Sequence, residues 1–278
     1  MKHAFWKSLV LLGLLLSGLA AMKESSQRSS RDETVLERVN RTGVIRCGYV
    51  LWPPYLTLDL STGQKSGIAF DFMAALADEM GLRVEWVEET GWGNFQEGLN
   101  THRYDMMCSP VWVSGLRARS ALLVAPIYEN GLYAFARADD DRFQAGFDAA
   151  NKSDIKIAVV EGDPSQAVRR ARFPDAQEIA LSPSVDSGQL MLNVTGRKAD
   201  IIFDNLSAVE RFNRGSTMKL HAIAKQTPVR MFSNAFAVKL GETEFKEALD
   251  SSIAALFKGG VAVRIIQKYP SVQYPTFP

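Results

Sequence analysis

The sequence predicts an α/β fold of two lobes, a clamshell in which each lobe is a mainly parallel sheet flanked by helices and the chain crosses between lobes twice. Three observations predict it. Short apolar runs of strand length alternate with stretches of helical periodicity, the βαβ rhythm of a parallel sheet. That rhythm occurs twice, and a late apolar run, Ser233-Asn234-Ala235-Phe236-Ala237-Val238, then returns the chain to the first lobe. The 278 residues, 46% hydrophobic and 23% charged, are enough for one large core or two modest ones.

The chain begins with an address. Lys2, His3 and Lys7 precede the apolar run Leu9 to Leu16, and Ser17 to Ala21 supplies small residues for cleavage. Residues 1–21 therefore read as a signal peptide. The run is shorter than the ~20 residues a membrane-spanning helix needs. Residues 22–33, polar and serine-rich, read as a flexible tether.

The first lobe is assigned to residues 34–130 plus 235–278. A short helix from Thr34 to Asn40 stops near Gly43, and Val44 to Tyr49 is a strand. After the turn-rich Trp52-Pro53-Pro54-Tyr55, Phe72, Met73, Leu76 and Met80 recur at helical spacing, with Gly81 as the stop. Arg83 to Val87 is the next strand, and Phe95 to Asn100 a short helix. Met106-Met107-Cys108 is a buried strand that Ser109-Pro110 should end. Ser114 is placed to cap the helix that follows, so Arg117 would stand just beyond the carboxyl end of the strand, where α/β sheets bind ligands. Its guanidinium offers a fork of donors matched to a carboxylate.

The second lobe, residues 131–234, repeats the logic. Ile155 to Val160 is a strand, and Asp163, Pro164 and Gln166 are a nearly complete set of helix-start signals. A helix over Ser184 to Val194 stops at Gly196. Ala199 to Phe203 is a strand that delivers Asp204 to its carboxyl end, with a helix from Leu206 to Phe212 beyond. Helices over Thr243 to Phe257 and Val261 to Tyr269 close the chain.

Charge and composition exclude several functions. Lys+Arg 32 against Asp+Glu 31 gives a net charge of +1 with no basic stripe, which argues against nucleic acid. His3, His102 and His221 are scattered and make no metal set, and no phosphate-binding loop or other cofactor motif is present. Cys47 and Cys108 each fall late in an apolar strand and are expected to serve as small hydrophobes rather than to pair, because parallel neighbours rarely offer the needed Cβ geometry.

The order of segments carries a resemblance. VIRCGYVLWPPY, GIAFDFMAALADEMGLRVEWV, WGNFQEGLNTHRYDMMCSPVWVSGLRAR, IAVVEGD, GRKADIIFDN, FAVKLGE and IIQKY, in this order behind a signal peptide, resemble the family 3 extracellular solute-binding proteins, from about Glu33 to Tyr269. The resemblance implies the type II periplasmic-binding clamshell. It also implies a periplasmic location, an amino acid or related amine as ligand, the permease subunits of an ABC importer as partners, a monomer and no cofactor. By the same resemblance Arg117 falls at the carboxylate-binding arginine, with Ser114 at the hydroxyl position before it. Asp204 falls at the acid that pairs with the ligand's amino group, Trp52 and Trp92 at the aromatic positions that sandwich the side chain, and Ser109 at the strand end whose carbonyl accepts from the amino group.

Several positions depart from that pattern. Trp112 stands where many members carry serine, Pro110 replaces a residue with a backbone donor, and Leu122 and Ala125 replace acids. Asp163 occupies the turn whose threonine and amides usually hold the ligand carboxylate, so it reads both as a helix cap and as a competitor for those donors. Trp112 fits a core or a pocket wall equally. With aromatic faces and two acids, the pocket is expected to favour a cation. Two other functions fit the same fold: a cyclohexadienyl dehydratase-like enzyme using Glu161 or Asp163 as its acid, or a sensor that docks on a membrane receptor.

Overall fold

The computed structural model describes residues 33–275. The signal peptide and nearly all of the tether lie outside the described residues. Twelve strands carry the described chain: β1 (Val44–Tyr49), β2 (Thr57–Leu58), β3 (Lys65–Ser66), β4 (Arg83–Glu89), β5 (Met106–Trp112), β6 (Leu122–Leu123), β7 (Tyr128–Arg137), β8 (Lys156–Val160), β9 (Gln177–Leu181), β10 (Ile201–Asp204), β11 (Leu220–Ala222) and β12 (Arg230–Val238). β2 and β3 form a small hairpin of their own.

The other ten strands form one hydrogen-bonded path, β4-β1-β5-β12-β7-β10-β8-β9, with β6 beside β12 and β11 beside β7. At one end β4, β1 and β5 are parallel, and at the other β10, β8 and β9 are parallel. Between them the antiparallel pair β7–β12 joins the halves. Residues 128–132 of β7 pair with β12, and residues 133–135 pair with β10. Each parallel group is a βαβ product, its strands returned by helices such as Ile68–Met80 and Pro164–Arg172.

Local chemistry explains the boundaries. Thr34 and Glu37 form a capping box on the helix Val35–Thr42, which Gly43 ends at φ +67. In helix Ile68–Met80, Ile68, Phe72, Met73 and Leu76 are buried against the sheet, and helix Thr243–Lys258 covers the same face with Phe245, Leu249, Ile253 and Leu256. Burying a side chain of this size contributes about 1.5–3 kcal/mol, so these helices are held by packing more than by propensity.

Five features differ from expectation. β5 does not stop at Ser109-Pro110 but runs to Trp112, because Pro110 lies opposite the register irregularity between Ala235 and Ala237 of β12, where the ladder asks for no N–H. β7 is a ten-residue strand that Glu129-Asn130-Gly131 disguises in sequence, and the sequence reading likewise places no strand at β9. The second-half helix begins at Ser187 rather than Ser184, since Asp186 is the residue that caps it by accepting from Gln189 N at 2.7 Å. Finally, Cys47 and Cys108 are joined in a disulfide, against the expectation of two unpaired thiols. Cys47 is in register with Met106, so Cys108 lies two residues along on the same core face. The bridge is diagonal rather than lateral, and the Cα atoms stand 5.4 Å apart, within disulfide range.

Candidate functional site

The carboxyl ends of β5, β8 and β10 converge on one cavity between the halves. From the first half come Trp52, Trp92, Trp112 and Arg117, and from the second Asp163, Asp186, Ser187 and Asp204. The free space among them is about 40 Å³. At ~10–15 Å³ per water that holds a few waters, so a larger solute requires the walls to part.

The aromatic wall is built around Trp52, which makes edge contacts with Trp92 at 5.3 Å and Trp112 at 6.0 Å and lies against Tyr55 at 4.4 Å. Trp112 belongs to both core and cavity: its ring stacks on Phe232 at 4.9 Å, and its N–H donates to Asn130 Oδ1 at 3.1 Å. The two alternatives for this residue were therefore not exclusive.

Arg117 is 2% exposed, unusual for a charged side chain. Ser114 Oγ caps its helix by accepting from Arg117 N at 3.3 Å, and this fixes where the guanidinium starts. Nη1 reaches the Trp112 carbonyl at 3.5 Å and Nη2 the Trp92 carbonyl at 3.4 Å, while Nε has no partner. Nη2 also donates to Asp163 Oδ2 at 2.9 Å, a contact from one half to the other. Burial depresses the Arg117 pKa, and the charge and hydrogen bond of Asp163 oppose that. Asp163 is in turn the N-cap of helix Pro164–Arg172, its Oδ1 accepting from Ser165 N at 2.8 Å.

Asp204 is the contrasting acid. It is 3% exposed; Oδ1 accepts from Asn205 N at 2.8 Å and from Asn205 Nδ2 at 3.0 Å, but Oδ2 has no partner. Desolvation is the largest influence on it and pushes its pKa up to about 7, against the Asn205 amide and the nearby Ser187 and Trp52 side chains, which lower it; the charge of Asp163 adds to the rise.

Six of the eight residues singled out from sequence line the cavity: Trp52, Trp92, Trp112, Arg117, Asp163 and Asp204. Ser109 and Ser114 do not. Ser109 is turned onto the loop after β1, where its Oγ accepts from Val50 N at 2.9 Å and donates to Val50 O at 2.8 Å. Sequence reading missed Ser165, Asp186 and Ser187. The spacing of Asp186 and Gln189 is a capping signal that would have placed the last two at a helix start.

The rim of the cavity closes backbone to backbone. Gly93 N donates to Pro183 O at 3.3 Å across the halves. A Cβ on Gly93 would come within 2.5 Å of Pro183 Cβ and 2.7 Å of Glu161 O, and one on Gly91 within 2.7 Å of Pro183 O. Among the described residues no group of side chains could hold a metal ion, and no helix is long and apolar enough to cross a membrane.

Two α/β halves on a shared pair of strands, with one charged and aromatic cavity between them, define a binding protein that closes over a small molecule. The chain belongs to the bacterial extracellular solute-binding proteins, family 3, which match residues 45–272. A probable amino-acid ABC transporter-binding protein of Haemophilus influenzae is 24% identical over 253 residues, covering 88% of this chain and 91% of the relative. The fold is that of the type II periplasmic amino-acid-binding proteins. The crystal structure of an ancestral amino acid-binding protein, a precursor of cyclohexadienyl dehydratase, superposes with a TM-score of 0.70 at 21% identity, covering 85% of this chain and 99% of that one. A cysteine-binding protein from Campylobacter jejuni gives 0.71 at 17% identity, with 85% and 93% covered.

Proposed function

We propose that this protein is the exported solute receptor of an ABC importer. It captures a small polar solute bearing an ammonium or guanidinium group, an amino acid or a related amine, and presents it to the permease subunits. The observation that carries this reading is Asp204, a buried carboxylate with one unpartnered oxygen, facing a cavity walled by three tryptophans. A ligand cation would supply the missing partner, and aromatic faces add about 0.5–2 kcal/mol per contact. Residues 34–130 with 235–278 act as one lobe and 131–234 as the other, and the β7–β12 pair is the hinge on which they part to admit solute. The receptor works as a monomer in the periplasm, released from its signal peptide.

A thermal-shift screen against amino acids, amines and small organic acids tests this. A ligand that binds only the native protein stabilises it by RT ln(1 + [L]/Kd), about 2.7 kcal/mol at a hundredfold excess over Kd, and so raises its melting temperature. A positive response confined to organic acids would overturn the reading.

One observation favours chemistry instead. A carboxyl whose pKa is pushed up to about 7 within a cleft is suited to give a proton to a leaving group. Asp163 is less suited, being committed to Arg117 and Ser165, and Glu161 is exposed. Incubation with prephenate or arogenate decides the matter: aromatic product, absent when Asp204 is replaced by asparagine, would make the protein an enzyme.

A further inference from the structure

An anion entering the cavity has two sets of donors to use, the Arg117 guanidinium and the amides that open the nine-residue helix Pro164–Arg172. One side chain already engages both, with Arg117 Nε left without a partner. Asp163 spans them, with Oδ2 on Arg117 Nη2 at 2.9 Å and Oδ1 on Ser165 N at 2.8 Å. Arg117 and Asp163 are 2% and 6% exposed, so this is a desolvated charge pair, in which removing or displacing one partner leaves the other buried and uncompensated. A solute carboxylate would have to displace a carboxylate that is tethered to the same site and therefore present at a high effective concentration. If it succeeded, two anions would share one guanidinium.

The opposite side of the cavity is unfilled in charge. Asp204 keeps a free oxygen, Asp186 stands at the rim, and the faces of Trp52, Trp92 and Trp112 are of the kind that attract cations. With Arg117 neutralised internally, the remaining charge complement is cationic, with no anion attached.

Resting on the reading of the chain as a solute receptor, we propose that the preferred ligand is a small amine or guanidine without a carboxylate, and that Asp163 takes the place of the carboxylate an amino acid would bring. The cleft is thus selective for decarboxylated amino acids over their parents. Arg117 and Asp163 together form the floor against which the cation's apolar part rests, and Asp204 takes the ammonium or guanidinium.

The test is calorimetry and thermal shift on the purified mature protein with four matched pairs: agmatine and arginine, cadaverine and lysine, putrescine and ornithine, phenethylamine and phenylalanine. The expected result is that in at least one pair the amine binds and its parent binds at least tenfold more weakly. Equal or tighter binding of the amino acid in every pair that binds would overturn this inference and leave the receptor reading standing. Binding by none of the eight would overturn both. In Asp163→Asn the internal carboxylate is gone and Arg117 is released, so the ratio of affinities should move at least tenfold toward the amino acid. An unchanged ratio in a folded variant counts against the proposal, and the wild-type panel decides it even where the variant fails to fold.

Discussion

Asp105 and Asp204 are both buried aspartates at strand ends, one before β5 and the other at the end of β10, and the fold treats them oppositely. Asp105, 1% exposed, is fully subscribed. Its oxygens accept from Arg38 Nε at 3.1 Å and from Arg38 Nη2, from Arg46 Nη2 at 2.9 Å and from Arg46 N at 2.6 Å. Asp204 has its own neighbour Asn205 on one oxygen, while among the described residues no group hydrogen-bonds to the other and the Ser187 and Trp52 side chains lie nearby. The amino end of the sheet satisfies its charge completely and is a structural clamp, whereas the carboxyl end leaves a charge requirement open. In α/β sheets that is the end where ligands bind. A buried acid is therefore informative by its missing partners more than by its burial.

Four experiments would break or sharpen that contrast. The largest effect is expected at the clamped side, where the disulfide ties β1 to β5. Replacing both cysteines with alanine frees a loop of 61 residues in sequence separation and should cost roughly 4 kcal/mol, read as a lower urea midpoint. Next, Asp105→Ala leaves the Arg38 and Arg46 guanidinium groups and the Arg46 amide without their acceptor, and a loss of about 3 kcal/mol is expected, with ligand affinity retained below the midpoint. Loss of binding without loss of stability would show that this cluster serves the cavity after all.

At the open side the signs reverse. Asp204→Asn should weaken binding of a cationic ligand by about a hundredfold, near 2.7 kcal/mol, while the melting temperature without added ligand stays level or rises at pH 8. A marked fall in that temperature would make Asp204 structural. The remaining effect concerns pH. Asp204 has a folded-state pKa of about 7, above its value in the unfolded chain, so between pH 4 and 7 the folded protein holds a proton that the unfolded chain has lost. The stability it contributes is complete below about pH 4 and is lost as pH rises toward 7; in Asp204→Asn that slope should flatten. Cation affinity should run the other way, rising toward pH 7 and levelling above it, with proton release on binding seen in buffers of different ionisation enthalpy. Asp163, Asp186, Arg117 and Tyr55 share the surroundings of this carboxyl, and Asp163→Asn should lower its pKa by removing a like charge.

Much of this was legible in the sequence where one local signal dominated. β1 spans the predicted Val44 to Tyr49 because Gly43 and the apolar run leave no other register, and Phe95–Asn100 is likewise the predicted helix. Trp52, Trp92, Arg117 and Asp204 stand at or just after strand ends and at positions the family resemblance marks, and all four line the cavity. What escaped depends on contacts distant in sequence. β7 reads as a loop because Glu129, Asn130 and Gly131 break its apolar alternation, although β12 supplies partners to each of them. The disulfide needed the register of β1 on β5, which no spacing of two cysteines reveals. That Asp163 meets Arg117 needed both halves, since cap chemistry alone accounts for Asp163 within its own helix.

The glycine rim makes closure a digital event. Where Gly91 and Gly93 meet Pro183 and Glu161, the clearance is smaller than a methyl group, and the Gly93–Pro183 hydrogen bond across the rim runs between backbones. Packed surfaces of this kind are bistable rather than continuously deformable. A solute too bulky to let the backbones touch does not produce a slightly open receptor that is almost right; it forfeits the rim contact altogether. Because the Gly93–Pro183 hydrogen bond joins main-chain atoms, the same contact can form whichever solute lies behind it. On the reading proposed above, a permease that recognises this mouth meets the same backbone surface for each accepted solute, while the tryptophans and acids inside set which solutes are accepted.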